Sequence, residues 1–131
     1  MGIFSNITKG KKGENYVCKY LKKKRYKIID INMRNKYSEI DIIAENKKFI
    51  VFVEVKSRTN PDSAFRPVYA VNLQKQKKIM LAAKYYLTTE NKSAKQPRFD
   101  VAEVFMNSDG KPESINYIEN AFSQGGDYAV L

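Results

Sequence analysis

The chain has 131 residues, 43% hydrophobic and 29% charged, enough for one domain with a modest core and too few for two. Its formal charge is +10, and it holds no histidine and a single cysteine, Cys18. Those counts exclude intrachain disulfides, cysteine-held zinc and His-based triads or metal sites, leaving carboxylates, lysines, hydroxyls and a hard cation such as Mg²⁺.

In chain order, Val17, Tyr20, Leu21 and Lys24 recur at helical spacing, which predicts an amphipathic helix from Thr8, a plausible N-cap, to Lys24. Tyr26 to Met33 reads as a strand and Arg34 to Ser38 as a polar turn. Ile40 to Ala44 and Phe49 to Lys56 read as two more strands, joined by the short link Glu45-Asn46-Lys47-Lys48 into an antiparallel hairpin. Ser57 to Asn72 has Pro61 and Pro67 and little periodicity, the mark of a long loop. Leu73 to Leu87 is a second helix, and Phe99 to Met106 and Ser114 to Ile118 are strands separated by the turn Asn107-Ser108-Asp109-Gly110. The order α-β-β-β-α-β-β predicts an α/β domain with helices packed on a central mixed sheet. The domain core is expected over about residues 8–122, with a frayed tail at 123–131.

Charge is unevenly placed. Residues 1–36 carry 11 Lys/Arg against Glu14 and Asp30, so this quarter of the chain holds +9 of the net charge. Such a field favours a polyanion, nucleic acid first, although an acidic membrane surface or a merely solvated helix face would share the pattern. No apolar run reaches a membrane-spanning length and the N-terminus lacks a secretory apolar region, so a cytoplasmic location and no membrane are expected.

Against that basic background, Asp41 and Glu54 lie inside segments that otherwise read as buried strand. Ionised groups at such positions are costly unless compensated. A shared divalent cation would compensate them and leave Lys56 free for a phosphate or a water. The alternative is a buried ion-pair network in which Lys56 only partners the acids. Alternation puts Glu54 and Lys56 on one face of their strand, about 6.7 Å apart. If Glu45 and Lys48 flank a two-residue turn, Asp41 falls opposite Phe52 and diagonal to Glu54, about 7–8 Å away at Cα. Glu14, near the apolar face of the first helix, is a third acid that either points at this site or complements the helix N-terminus.

The segments Gly13-Glu14, Asn32-Met33-Arg34, Glu39-Ile40-Asp41, Val51 to Arg58, Lys75-Gln76, Arg98-Phe99-Asp100-Val101 and Glu119-Asn120-Ala121-Phe122 occur in the order and spacing of the YraN-like family. The resemblance spans roughly residues 10–122. That family is similar to the PD-(D/E)xK nucleases, with a restriction-endonuclease-like fold close to archaeal Holliday-junction resolvases. The resemblance implies Asp41 and Glu54 as ligands of Mg²⁺ (or Mn²⁺), with the Val55 carbonyl completing the shell. It implies Lys56 as catalytic lysine, Glu14 as accessory acid and further ligand, and Gln76 as a group orienting substrate or water. It implies phosphodiester hydrolysis in DNA, leaving a 5′-phosphate and a 3′-hydroxyl. Ser38 departs from the usual glycine before Glu-Ile-Asp, and Phe65 and Tyr69 depart from the usual loop residues.

Candidate phosphate contacts are Lys19, Lys22, Lys23, Arg25, Lys27, Arg34, Arg58, Arg66 and Lys75. Tyr16, Tyr20, Tyr85 and Tyr86 are candidates either for stacking on bases or for the core. A homodimer would suit an enzyme that cuts two strands. The rival expectation is a nucleic-acid-binding module or adaptor without catalysis.

Overall fold

The structure, a computed structural model, describes residues 9–59, 72–90 and 94–123. Its elements are α1 (Lys9–Lys23), β1 (Lys27–Arg34), β2 (Glu39–Glu45), β3 (Phe49–Arg58), α2 (Leu73–Thr89), β4 (Gln96–Met106) and β5 (Pro112–Phe122). The five strands form one sheet in the order β1-β2-β3-β4-β5, with β3 and β4 parallel and every other pair antiparallel. The expected mixed sheet with flanking helices is therefore what the chain forms. Among the described residues, no helix is long and apolar enough to cross a membrane.

Alternation along β3 decides what each helix covers. Ile50 and Phe52 face α2, packing with Ile43, Ile79, Ala83 and Phe99. Val51 and Val53 face α1, packing with Val17, Leu21, Ala102 and Val104. Residues 50–53 are each at most 1% exposed, as a central strand covered on both sides requires. On the α2 face, Phe52, Phe99 and Phe122 form a stack with centroid separations of 5.6 and 5.4 Å, and the Tyr86 ring meets Phe52 edge-on.

α1 closes with Arg25 in the left-handed region (φ 73°), where Arg25 N donates to Lys22 O and Tyr26 N to Leu21 O. This is the Schellman arrangement, in which glycine is the usual occupant. α2 opens on Asn72, whose side chain accepts from Lys75 N at 2.8 Å. The proposed N-cap Thr8, most of the long loop including Arg66, and nearly all of the tail lie outside the described residues.

Three expectations change. The β2–β3 turn is Lys47-Lys48 rather than Asn46-Lys47, because Asn46 Oδ1 accepts from Lys48 N and Phe49 N at 2.9 and 2.8 Å and so nucleates the turn one residue later. The register consequently moves by two, pairing Ile42 with Val53 and Ile43 with Phe52. β4 begins at Gln96, ahead of the expected Phe99, and β5 runs on to Phe122, beyond the expected Ile118. The buried Phe122 anchors that extra length against Phe99.

Candidate metal and nucleic-acid site

The new register preserves the shared face and brings the acids closer together. Asp41 is the position after the last pair, Ile42 with Val53, and so stands across from Glu54 rather than diagonal to it. Asp41 Oδ2 accepts from Val55 N at 2.8 Å, the side chain serving where the ladder ends. On the other flank Ile31 pairs with Ile42 and Met33 with Ile40, which sets Asn32 beside Asp41. Asn32, Asp41 and Glu54 thus form one row across β1, β2 and β3.

Asn32 adopts φ 55°, a left-handed conformation that asparagine tolerates better than most residues. Its Nδ2 donates to Glu14 Oε1 at 3.2 Å, tying the first turns of α1 to the row. Lys11 Nζ lies 3.9 Å from the same oxygen. Burial raises the Glu14 pKa; the Asn32 hydrogen bond and Lys11 oppose this, while Glu39 and Glu54 add to it.

Glu54 is 7% exposed, and Lys75 of α2 sets its ammonium 3.0 Å from Glu54 Oε2. Burial works against the Lys75 charge, but the hydrogen bond to Glu54 and the charges of Glu54, Asp41 and Glu39 outweigh it and raise its pKa. Asp41 is pushed up to about 7, first by burial and then by the facing Glu54 charge, with Val55 N–H opposing and Glu14 and Glu39 adding. Around these groups lies a cleft of about 450 Å³ lined by Arg34, Tyr37, Glu39, Asn72, Gln74 and Lys78, among others.

The donor set is all oxygen: two carboxylates on facing strands beside the backbone of Val55. The crowding that raises the Asp41 pKa is what a divalent cation relieves, and the Lys75 ammonium already marks a place for positive charge. Among the described residues no group of three acids is arranged to hold a metal, so Glu14, engaged with Asn32, does not complete a three-carboxylate cage. Two carboxylates suffice for Mg²⁺, which keeps several waters and takes its remaining ligands from substrate phosphate.

The other expected site residues divide. Lys56 follows Glu54 on the same face of β3, half-buried and beside Glu103 in the ladder. Arg34 lines the cleft and pairs with Glu39 at 3.0 Å. Arg58 is committed to the buried Glu103, with Nε at 2.8 Å from its carboxylate, while Asn116 donates to the other oxygen at 3.2 Å. Gln76 is half-buried and follows Lys75, which pairs with Glu54. Lys19, Lys22 and Lys23 are exposed on α1, which packs on the face of the sheet opposite the cleft. Lys27 opens β1, and Arg25 serves as the left-handed cap. The first turns of α1 are beside the acids, through Glu14, while Lys19 and Lys23 lie toward Ile115 of β5. Asn32 and Lys75 carry contacts to the acids that the sequence did not assign: Asn32 stood out only as part of a family segment, and Lys75 only as a candidate phosphate contact.

Gly13 explains how Glu14 gets so near. A Cβ at this position would stand 2.3 Å from Ser57 Oγ, so α1 touches β3 only because no side chain intervenes. Ser57 Oγ is itself buried without a hydrogen-bond partner among the described residues. Gly13→Ala should cost about 1–3 kcal/mol through this clash, outweighing the roughly 1 kcal/mol gained in helix propensity. Adding Ser57→Ala removes the clashing atom and an unsatisfied hydroxyl, so the double variant should exceed wild type in urea unfolding. Simple additivity of the two changes would show that the contact is not tight.

Comparison with known proteins agrees with the segment pattern. The model of the uncharacterised protein family UPF0102 matches residues 13–104. A UPF0102 protein of Caldanaerobacter subterraneus subsp. tengcongensis is 45% identical over 116 residues, covering 88% of this chain and 94% of the relative. One from Alkaliphilus metalliredigens is 44% identical over 113 residues (86% and 96%), and one from Clostridium acetobutylicum 44% identical over 117 residues (89% and 95%).

Proposed function

This chain belongs to the uncharacterised protein family UPF0102, and from that premise we propose that it is a Mg²⁺- or Mn²⁺-dependent endonuclease of the PD-(D/E)xK type, hydrolysing phosphodiester bonds in branched or otherwise structured DNA. The observation that carries this reading is the facing pair Asp41 and Glu54, just past the last pair of the β2–β3 ladder, in a cleft shared with Arg34, Lys75 and Lys78. A pure phosphate binder gains nothing from carboxylates beside its ligand, because they repel it.

Asp41 and Glu54, with the Val55 carbonyl, would hold the cation. When bound there, a divalent cation polarises the scissile phosphate and lowers the pKa of an attacking water. Lys56, on the Glu54 face of β3, orients the nucleophile by donating from its ammonium. Glu14, steadied by Asn32, adds negative field behind Asp41 and Glu54 and so favours cation over anion at that spot. Lys75 leaves Glu54 for the substrate, exchanging a carboxylate for a phosphate partner. Arg34 and Lys78 hold the flanking phosphates without reading sequence.

One observation favours the non-catalytic module instead: the Lys75 ammonium, 3.0 Å from Glu54, can itself compensate that acid. Both readings meet in one assay, in which branched and linear DNA are incubated with wild type and Glu54→Gln in Mg²⁺, Mn²⁺ or EDTA. Cleavage is expected only with metal, and should fall about 10²–10³-fold in Glu54→Gln while binding persists. Binding without cleavage in either metal would establish the module; equal cleavage by both proteins would indicate a contaminant.

A further inference from the structure

Beside the acidic cleft lies a feature the endonuclease reading leaves unused. Tyr37 and Tyr85 are each 37% exposed, although their rings meet edge-to-face at 5.8 Å. Lys36 holds its ammonium over both rings, 5.4 Å from one centroid and 5.2 Å from the other. Tyr37 lines the cleft itself, together with Arg34, Asp41, Glu54 and Lys75. On α2, Gln74, Lys78, Leu81 and Tyr85 follow one another at spacings of four, three and four, which puts them along one helix face. All four are exposed, so an open strip runs from the cleft to the ring pair.

Packing alone does not account for these rings. The β1–β2 turn is already fastened to α2 by Asn35, whose Nδ2 donates to Ala82 O at 3.0 Å and whose Oδ1 accepts from Tyr37 N at 3.0 Å. Tyr86, the neighbour that serves the core, is 9% exposed. Aromatic faces held rigidly in solvent, surrounded by Arg34, Lys36, Lys75 and Lys78, have the composition of a surface that stacks bases while cations track the backbone.

Resting on the proposed endonuclease activity, we infer that the cleft takes an unpaired nucleic-acid strand: a splayed base stacks on the Tyr37–Tyr85 platform, and its phosphate lies against Arg34, Lys75 and Lys78. A continuous duplex keeps its bases stacked on one another and has no face to offer these rings. The substrate class is thus DNA with a single-stranded segment at or next to the cut.

The test is fluorescence anisotropy with a labelled single strand and with its duplex, Ca²⁺ replacing Mg²⁺, on wild type, Tyr37→Ala/Tyr85→Ala and Tyr37→Phe/Tyr85→Phe. The alanine pair should weaken single-strand binding roughly tenfold or more, leave duplex binding within about twofold, and be rescued by the phenylalanine pair. Single-strand affinity unchanged by the alanine pair, or equal loss on both DNAs, overturns the platform and leaves the endonuclease reading standing. Wild type binding neither DNA overturns both. Should the alanine pair unfold, wild type irradiated with a 5-iodouracil single strand decides: an adduct on Tyr37 or Tyr85 supports the platform, and adducts confined elsewhere overturn it.

Discussion

The Asp41→Asn variant is expected to outlast wild type in thermal melts at pH 8 in EDTA while losing metal-dependent cleavage. The Asp41 pKa stands near 7 against an ordinary 3.8, because burial and the facing Glu54 both disfavour its charge. The native state therefore binds more protons than the unfolded chain between about pH 4 and 7, and wild-type stability falls as pH rises through that window. The loss at pH 8 is on the order of 2–4 kcal/mol. Asparagine cannot ionise, yet its carbonyl oxygen can still accept from Val55 N. The gap between variant and wild type should accordingly close near pH 4 and open toward pH 8. Mg²⁺ should stabilise wild type by mass action and leave the variant unmoved. A variant less stable than wild type at pH 8 without metal would contradict the strained state of this carboxylate.

The second large effect is expected on the opposite face of the sheet from the cleft. Asp100 is fully buried on the α1 face and accepts from Arg98 Nε and Nη2 at 2.9 and 2.8 Å, from the Tyr117 hydroxyl at 2.5 Å and from Asn120 N at 2.9 Å. The Arg98 guanidinium also donates to the Tyr26 hydroxyl and lies over the Phe49 ring. Burial opposes the Arg98 charge, but Asp100 outweighs it and raises the pKa; burial and the Asp100 charge raise that of Tyr117 as well. Arg98→Ala strands a carboxylate in the interior, which costs about 3–5 kcal/mol. Urea unfolding should register that loss, whereas cleavage per folded molecule should stay at the wild-type level. A loss below about 1 kcal/mol would mean that water reaches Asp100. Loss of turnover in fully folded protein would move this network into the chemistry.

Periodicity made the order of elements legible because each helix and strand buries one face and the burial shows in the spacing of Val17 and Leu21 or of Ile50 and Phe52. It concealed the start of β4, where Gln96, Pro97 and Arg98 look like loop residues until Tyr26 and Asp100 engage the Arg98 guanidinium. It also missed the last turnless stretch of β5, where Glu119 and Asn120 interrupt the alternation. The hairpin register turned on whether Asn46 would accept backbone hydrogens, a local contest that residue type alone does not decide. Two acids amid apolar strand residues were visible from sequence, since a buried charge there needs either a cation or an ion-pair partner. That Lys75 meets Glu54, and that Lys19 and Lys23 lie toward β5, depends on how the helices dock. Spacing within one helix carries no information on that.

The left-handed asparagines have a bearing on solubility as well. Asn32 on β1 and Asn120 on β5, at φ 55° and 54°, fall on the two outermost strands, each of which also carries a break in register. An outermost strand that is flat and regular offers its free amides as a template for foreign chains. β1 would be vulnerable in that respect, with Ile29 38% and Ile31 43% exposed. Its kink at Asn32 and its bulge near Ile29 spoil the template, so the same backbone twist that reaches Glu14 also guards the molecule against fibrillar self-association.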